Sequence, residues 1–331
     1  MCTSIAYRQK DLYFGRTLDV EFSFNEKVVI TPRNYLFSLR NGTEYHNKYA
    51  LIGIAAVFND CPLYYEAANE EGLAMAGLNF PGNAVYNDPL NMKPDEKDYK
   101  DDIALFELIP CLLGQSKTVS DVRVLLERLN LTNIPFAEKF PSSPLHFMIS
   151  DKKESIVVEP TEHGLDIFDN PFDVMTNNPP FQYHIYNMQR YMNVSPKNSE
   201  NNFSNKYDLK PYAVGMGAEG LPGDTSSVSR FVRAAFNLTN SHNEDNEIDN
   251  ISQFFHILDS VSMVKGSTFT DDGKDDITLY SCCFSTASKA LYYKTYGKNQ
   301  ITAVKLNKEN SSAKELSIFT LQTAQQINYE N

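Results

Sequence analysis

A cysteine stands directly behind the initiator methionine in MCTSIAYRQK, and an arginine and an aspartate follow at positions 16 and 19 in LYFGRTLDVEFSFN. Removal of Met1, the usual outcome when the second residue is small, would leave Cys2 with both a thiol and a free α-amine. Such an amine has a pKa of about 7.7 to 8.0, so on the order of a tenth of it is neutral at pH 7 and able to accept a proton. The thiol, near 8.5 when unperturbed, is then a few per cent thiolate. One residue would hold nucleophile and general base together, which is what covalent attack on a carbonyl requires. Arg16 beside the thiol would favour thiolate, and Asp19 would accept hydrogen bonds from the ammonium; each pKa unit gained is worth about 1.4 kcal/mol. The same residues also have a plain reading, a second residue of no consequence and a surface ion pair worth under about 1 kcal/mol.

A thiol on a loose tail is a poor catalyst, so elements must hold it. TSIAYR and LYFGRTLD read as two strands of a hairpin that returns Arg16 and Asp19 to the N-terminus. Further strand-like runs are EKVVITPR (26–33), YALIGIAAVF (49–58), GLAMAGLNF (72–80), LHFMIS (145–150) and ESIVVEPTEHGLDIF (154–168), the last with a hairpin turn at His163-Gly164. ITLYSCCFSTASKALYYKTY (277–296) reads as another hairpin, followed by QITAVKL. Helical spacing marks Val228, Phe231, Val232, Ala235 and Phe236, and again Ile251, Phe254, Phe255, Leu258 and Val261. A third helix is predicted over 121–130 behind a Ser120 cap, and the polar stretches 197–206 and 241–250 are predicted as surface loops. With no Pro/Gly/Ser linker and no repeat, the pattern predicts one α+β domain over 1–331, sheets covered by helices.

Composition narrows the partners. A chain of 331 residues with 42% hydrophobic residues can bury a substantial core. A formal charge of −12 with no Lys/Arg run argues against nucleic acid. The longest apolar stretch, residues 49–58, is too short to span a bilayer. Arg8, Lys10 and Asp11 interrupt what would be the apolar region of a secretory signal, so a cytoplasmic location is expected. Cys2, Cys61, Cys111, Cys282 and Cys283 form no CxxC or Cys/His spacing, which predicts neither a zinc site nor a disulfide framework.

The segment MCTSIAY…YFGRTLDVEFSFNEKVVITPRNY resembles the bile salt hydrolases, or choloylglycine hydrolases, whose family includes the penicillin V acylases. The likeness recurs in YYEAANEEGLAMAGLNFPG (64–82), SPLHFMISDKKESIVVE (143–159), FDNPFDVMTNNPPFQYH (168–184), GMGAEGLPGDTSSVSRFVRAAF (215–236) and QQINYEN (325–331). The resemblance implies an N-terminal nucleophile amidohydrolase, an αββα sandwich without metal or cofactor. It implies Cys2 as nucleophile, Arg16 beside it and Asp19 positioning the α-amine. It also implies Asn177 of TNNP as the oxyanion-hole side chain, the backbone N–H of Asn79 completing that hole, and Arg230 of SRF as a second active-site arginine. Without it, Asn177 reads as a turn residue near proline and Arg230 as a solvated arginine off its helix's apolar face.

The implied substrates are glycine- and taurine-conjugated bile salts, small anions with a large apolar body. Burial at roughly 25 cal/mol per Å² would then dominate affinity, with Leu18, Phe24, Ile134 and Phe136 as candidate walls and Arg16 and Arg230 as a positive floor. Phe172 and Asp173 depart from the smaller, more neutral residues expected there and bear on substrate preference. A homotetramer is the oligomer the resemblance implies. The alternatives are a penicillin V acylase-type amidase, against which Asn79 speaks, and an inactive binder of steroid or acyl ligands, which retention of Met1 would favour.

Overall fold

The computed structural model describes residues 1–138, 141–242 and 245–331. Two antiparallel sheets lie face to face. The first has six strands in the order Val174–Met175, Cys2–Arg8, Leu12–Val20, Ile277–Ser285, Ala290–Thr295 and Lys298–Lys305. The second has eight, in the order Gly164–Asp169, Ser155–Thr161, Leu145–Ser150, Ala74–Asn79, Cys61–Asn69, Leu51–Phe58, Lys27–Thr31 and Ser317–Thr320. Helices Ser227–Asn240 and Glu247–Asp259 cover the outer face of the first sheet, and Leu108–Gln115 and Val119–Leu126 that of the second. The layers run helix, sheet, sheet, helix, the αββα sandwich expected.

Both faces of a strand in such a sandwich meet other layers, so its residues need not alternate polar and apolar. Cys2–Arg8 and Leu12–Val20 are buried along almost their whole length. Their hairpin pairs Cys2 with Leu18, Ser4 with Arg16 and Arg8 with Leu12. Leu12–Val20 then pairs on its other edge with Ile277–Ser285, nearly the full length of the chain away. Gly15 permits that approach, since a Cβ there would lie 1.9 Å from the Cys282 carbonyl oxygen.

The helix Ser227–Asn240 opens with the Ser226 hydroxyl accepting from the Ser229 N–H and turns Phe231, Ala234, Ala235 and Leu238 inward. Three expectations are corrected. The helix predicted over 121–130 runs Val119–Leu126, because Thr118 and Asp121 form a reciprocal capping box that starts it ahead of Ser120. Beyond it, Leu129–Thr132 is a short strand parallel to Asp101–Ala104. Of the predicted loop 241–250, residues 243 and 244 lie outside the described residues, and its last part is helix, since the Asn246 side chain caps a helix that begins at Glu247. Among the described residues, no helix is long and apolar enough to cross a membrane.

Candidate active site

Strand parity sorts the N-terminal residues onto two faces. Cys2, Ser4, Arg16 and Leu18 face the second sheet, where Arg16 Nη1 donates to the Gly77 carbonyl at 2.6 Å. Thr3, Thr17 and Asp19 face the helix Ser227–Asn240, from which Arg230 Nη1 donates to the Thr3 hydroxyl at 2.6 Å. The thiol and the groups around the chain's first amide are thereby held from opposite sides.

On the inner face, Arg16 Nη2 donates to the Cys2 sulfur and Nε to the Thr17 carbonyl at 3.1 Å. Its Nε also lies 3.6 Å from Glu66 Oε2. Burial alone would lower the Arg16 pKa, but the facing Cys2 thiol and Glu66 carboxylate outweigh it and raise the value. The thiol therefore sits against a permanent cation.

On the helix face, Asp19 accepts from the Thr278 hydroxyl at 2.6 Å and the Thr17 hydroxyl at 3.0 Å. Burial raises its pKa, while Arg230 and the N-terminal ammonium pull the other way. Burial likewise lowers the pKa of Arg230, against the attraction of Asp19 and Cys2. Arg230 Nη1 donates to the Cys2 carbonyl, Nη2 to Asn177 Oδ1 at 2.8 Å and Nε to the Thr225 carbonyl at 3.0 Å.

Asn177 is the junction. Its Oδ1 accepts from the Cys2 N–H at 2.8 Å as well as from Arg230, so its amide orientation is set, and Nδ2 donates to the Asn79 carbonyl at 2.8 Å. Nδ2 keeps a second hydrogen. At the end of the strand Ala74–Asn79, Phe80 N–H donates to the Pro144 carbonyl, so the alternation of an antiparallel ladder turns the Asn79 N–H away from that neighbouring strand. Asn79 and Gly77 share that direction, and Gly77 holds Arg16. The Asn177 amide thus links the Asn79 backbone to the Cys2 N–H.

The segment carrying Asn177 is clamped. His146 Nε2 meets the Thr176 carbonyl at 2.9 Å and Nδ1 meets Glu159 at 3.0 Å, with the ring stacked on Phe80. His184 Nε2 meets the Asn177 carbonyl at 3.0 Å, and burial lowers its pKa to about 4, so it donates there as a neutral ring. The Asn177 N–H donates to the Ser227 hydroxyl at 2.8 Å. Sequence reading missed Glu66, Thr278, His146, His184 and Ser227. The available signals were a lone carboxylate and a lone imidazole inside otherwise apolar strand runs, YYEAAN and LHFMIS.

Met1 is attached in this structure. Its amine donates to the Asp19 carbonyl and lies 3.1 Å from Asp276 Oδ2, while its carbonyl accepts from the Asp19 N–H at 2.9 Å. The α-nitrogen of Cys2 is here a peptide N–H, without basicity.

Cys2, Arg16, Asp19, Asn79, Asn177 and Arg230 are thus brought together. The proposed walls divide. Leu18 lies opposite Cys2 in the strand pair. Phe24 is an exposed loop residue against Phe22, Ile134 is half-buried, and Phe136 packs with Phe58 and Phe106 beneath the Arg40 guanidinium. Arg16 and Arg230, the expected positive floor, are 1% and 0% exposed and donate to the site's own atoms. Asp173 is corrected, because it pairs with Arg8 at the far end of the strand Cys2–Arg8, and Phe172 packs on Phe231.

The family described as linear amide C–N hydrolases, choloylglycine hydrolase family, matches residues 2–319. The chain is 47% identical over 330 residues to the bile salt hydrolase/transferase of Lactiplantibacillus plantarum, with 98% of each covered. It is 36% identical over 335 residues to that of Clostridium perfringens, with 100% of each covered. A crystal structure of a variant of conjugated bile acid hydrolase from Clostridium perfringens matches with a TM-score of 0.90 at 35% identity over the whole of both chains. Penicillin V acylase from Agrobacterium tumefaciens gives a TM-score of 0.77 at 19% identity, covering 97% of this chain and 92% of that one, a likeness of fold alone.

Proposed function

The chain belongs to the choloylglycine hydrolase family of linear amide C–N hydrolases, and from that premise we propose that it hydrolyses the amide bond of glycine- and taurine-conjugated bile salts through a Cys2 thioester. The observation that carries this reading is the meeting of the Cys2 thiol and Arg16 with the fixed Asn177 amide. Loss of Met1 converts the Cys2 peptide N–H into an amine, next to Asn177 Oδ1 and on the strand paired with the one that carries Asp19. That amine takes the thiol proton as sulfur attacks the substrate carbonyl. The Asn177 Nδ2 and Asn79 N–H receive the oxyanion, and the resulting ammonium protonates the departing glycine or taurine nitrogen. Water, deprotonated by the same amine, then opens the thioester. These steps call on groups of this chain alone.

The curated relatives named above are hydrolase/transferases, and a thioester open to water is open in principle to an amine. The two arginines give the site its positive charge, and apolar residues beside Cys2 such as Leu18 would meet the steroid body. A cytoplasmic homotetramer is part of this reading; for the assembly, the segment 192–214 leaves Met192, Phe203, Tyr212 and Val214 more than four-fifths exposed, apolar side chains suited to burial against other copies.

The test is intact mass to establish Met1 loss, then release of taurine and glycine from conjugated bile salts compared with phenoxyacetate from penicillin V. Met1-free protein is expected to release the amino acids faster than phenoxyacetate; Met1-bearing protein is expected to release neither. Met1-free protein inert on both would overturn the proposal. Sedimentation of the same sample should report about four times 37.5 kDa.

A further inference from the structure

Beside Arg16 lies a carboxylate the hydrolysis described above does not use. Glu66 is 2% exposed, and its Oε2 sits 3.6 Å from Arg16 Nε. Tyr280, from the neighbouring sheet, reaches both carboxylate oxygens at 2.9 and 3.0 Å, and the Cys282 thiol approaches Oε1 at 3.5 Å. One guanidinium therefore faces both a carboxylate, near its Nε, and the Cys2 sulfur, at its Nη2. When two acceptors compete for one buried cation, charge on either weakens the cation's hold on the other.

We propose that Glu66 governs the nucleophile through Arg16, restraining thiolate formation at Cys2 while it is ionised and releasing that restraint when it takes up a proton. The charged and titratable groups facing Glu66 are Arg16 from one strand, Tyr280 and Cys282 from another, Tyr65 on its own strand and Glu26 in the loop ahead of the strand Lys27–Thr31. Burial raises the Glu66 pKa to about 7, with Arg16, Tyr280 and Cys282 opposing the rise and Glu26 adding to it. The Tyr280 hydroxyl is itself held protonated by burial, so it remains a donor. Acidification removes thiolate directly, but it also neutralises Glu66 and leaves the sulfur as the one anion facing Arg16 among these groups. The two effects oppose each other near neutrality. The result is a nucleophile whose readiness falls less steeply with acid than a lone thiol's would.

This inference rests on Cys2 being the nucleophile, yet its test does not require turnover. Iodoacetamide alkylation of Cys2 is followed against pH in the Met1-free full chain, with Cys2→Ser as the blank. Cys61 and Cys111, pushed up by burial to about 11 and about 12, stay silent near neutrality. In Glu66→Gln, which keeps the shape but not the charge, the alkylation midpoint should move down by about one pH unit. Tyr280→Phe, which removes a donor that keeps Glu66 ionised, should move it down by less. If Glu66 only braced Arg16, its loss would loosen the guanidinium and move the midpoint up. An upward or absent shift in folded Glu66→Gln overturns the proposal, as does an upward shift in Tyr280→Phe. Hydrolysis of conjugated bile salts by the same samples separates this outcome from failure of the functional reading: an inert wild type with an alkylatable Cys2 indicts the substrate, not Glu66.

Discussion

At the scale of the residue, Asn177 links three other members of the site, taking the Cys2 N–H and Arg230 on its oxygen and offering its nitrogen to Asn79. Replacing Asn177 with Ala should lower kcat by about 10²- to 10³-fold with little change in KM, the cost of one oxyanion donor. A change in KM alone would assign Asn177 to substrate binding instead. Cys2, Arg16 and Asp19 were legible because they are close in sequence and their chemistry depends on the N-terminus. Asn79, Asn177 and Arg230 became legible only through resemblance, since nothing local to TNNP or SRF distinguishes a site residue from a turn asparagine or a solvated arginine. Glu66 and Thr278 were illegible because their significance is a distance, 3.6 Å to Arg16 and 2.6 Å to Asp19, across strands that pair from remote parts of the chain.

At the scale of the element, the site depends on the strand Leu12–Val20 lying tight between its two neighbours. A methyl group at position 15 would meet the Cys282 carbonyl at 1.9 Å, so Gly15→Ala should part the strands, lower the melting temperature by several degrees and reduce activity through displaced Arg16 and Asp19. Wild-type melting in the variant would show that the sheet flexes there freely. Most strands were readable from β-branched and aromatic runs, and the helices Ser227–Asn240 and Glu247–Asp259 from their periodicity. Leu108–Gln115 escaped because, with Pro110 and Gly114 among mainly apolar residues, it presents no polar stripe to set a period. The order of strands in each sheet was likewise hidden, because it is decided by pairings such as Leu12–Val20 with Ile277–Ser285.

At the scale of the whole molecule, two buried groups give stability a pH dependence of opposite signs. His184 titrates near 6.5 in an unfolded chain and about 4 in the folded one, so the unfolded chain gains the proton first. Stability that is whole above pH 6.5 drains as pH falls towards 4, by up to roughly 3 kcal/mol. Glu66, raised from about 4.5 to about 7, works in reverse, its folded-state penalty being relieved as pH falls from 7 to 4.5. Comparing His184→Gln with wild type isolates the histidine. The stability difference should move in the variant's favour between pH 7 and 4, and a difference constant with pH would refute the assignment. The αββα layering was predicted through resemblance and is found. One further consequence follows from Met1, whose backbone prolongs the strand pair with Asp19. Since an uncleaved N-terminus fits the hairpin, a batch of mixed ends is expected to pass as homogeneous by circular dichroism and gel filtration while only a fraction turns over. Specific activity should therefore be normalised to titratable 1,2-aminothiol, because absorbance at 280 nm counts dormant and competent molecules alike.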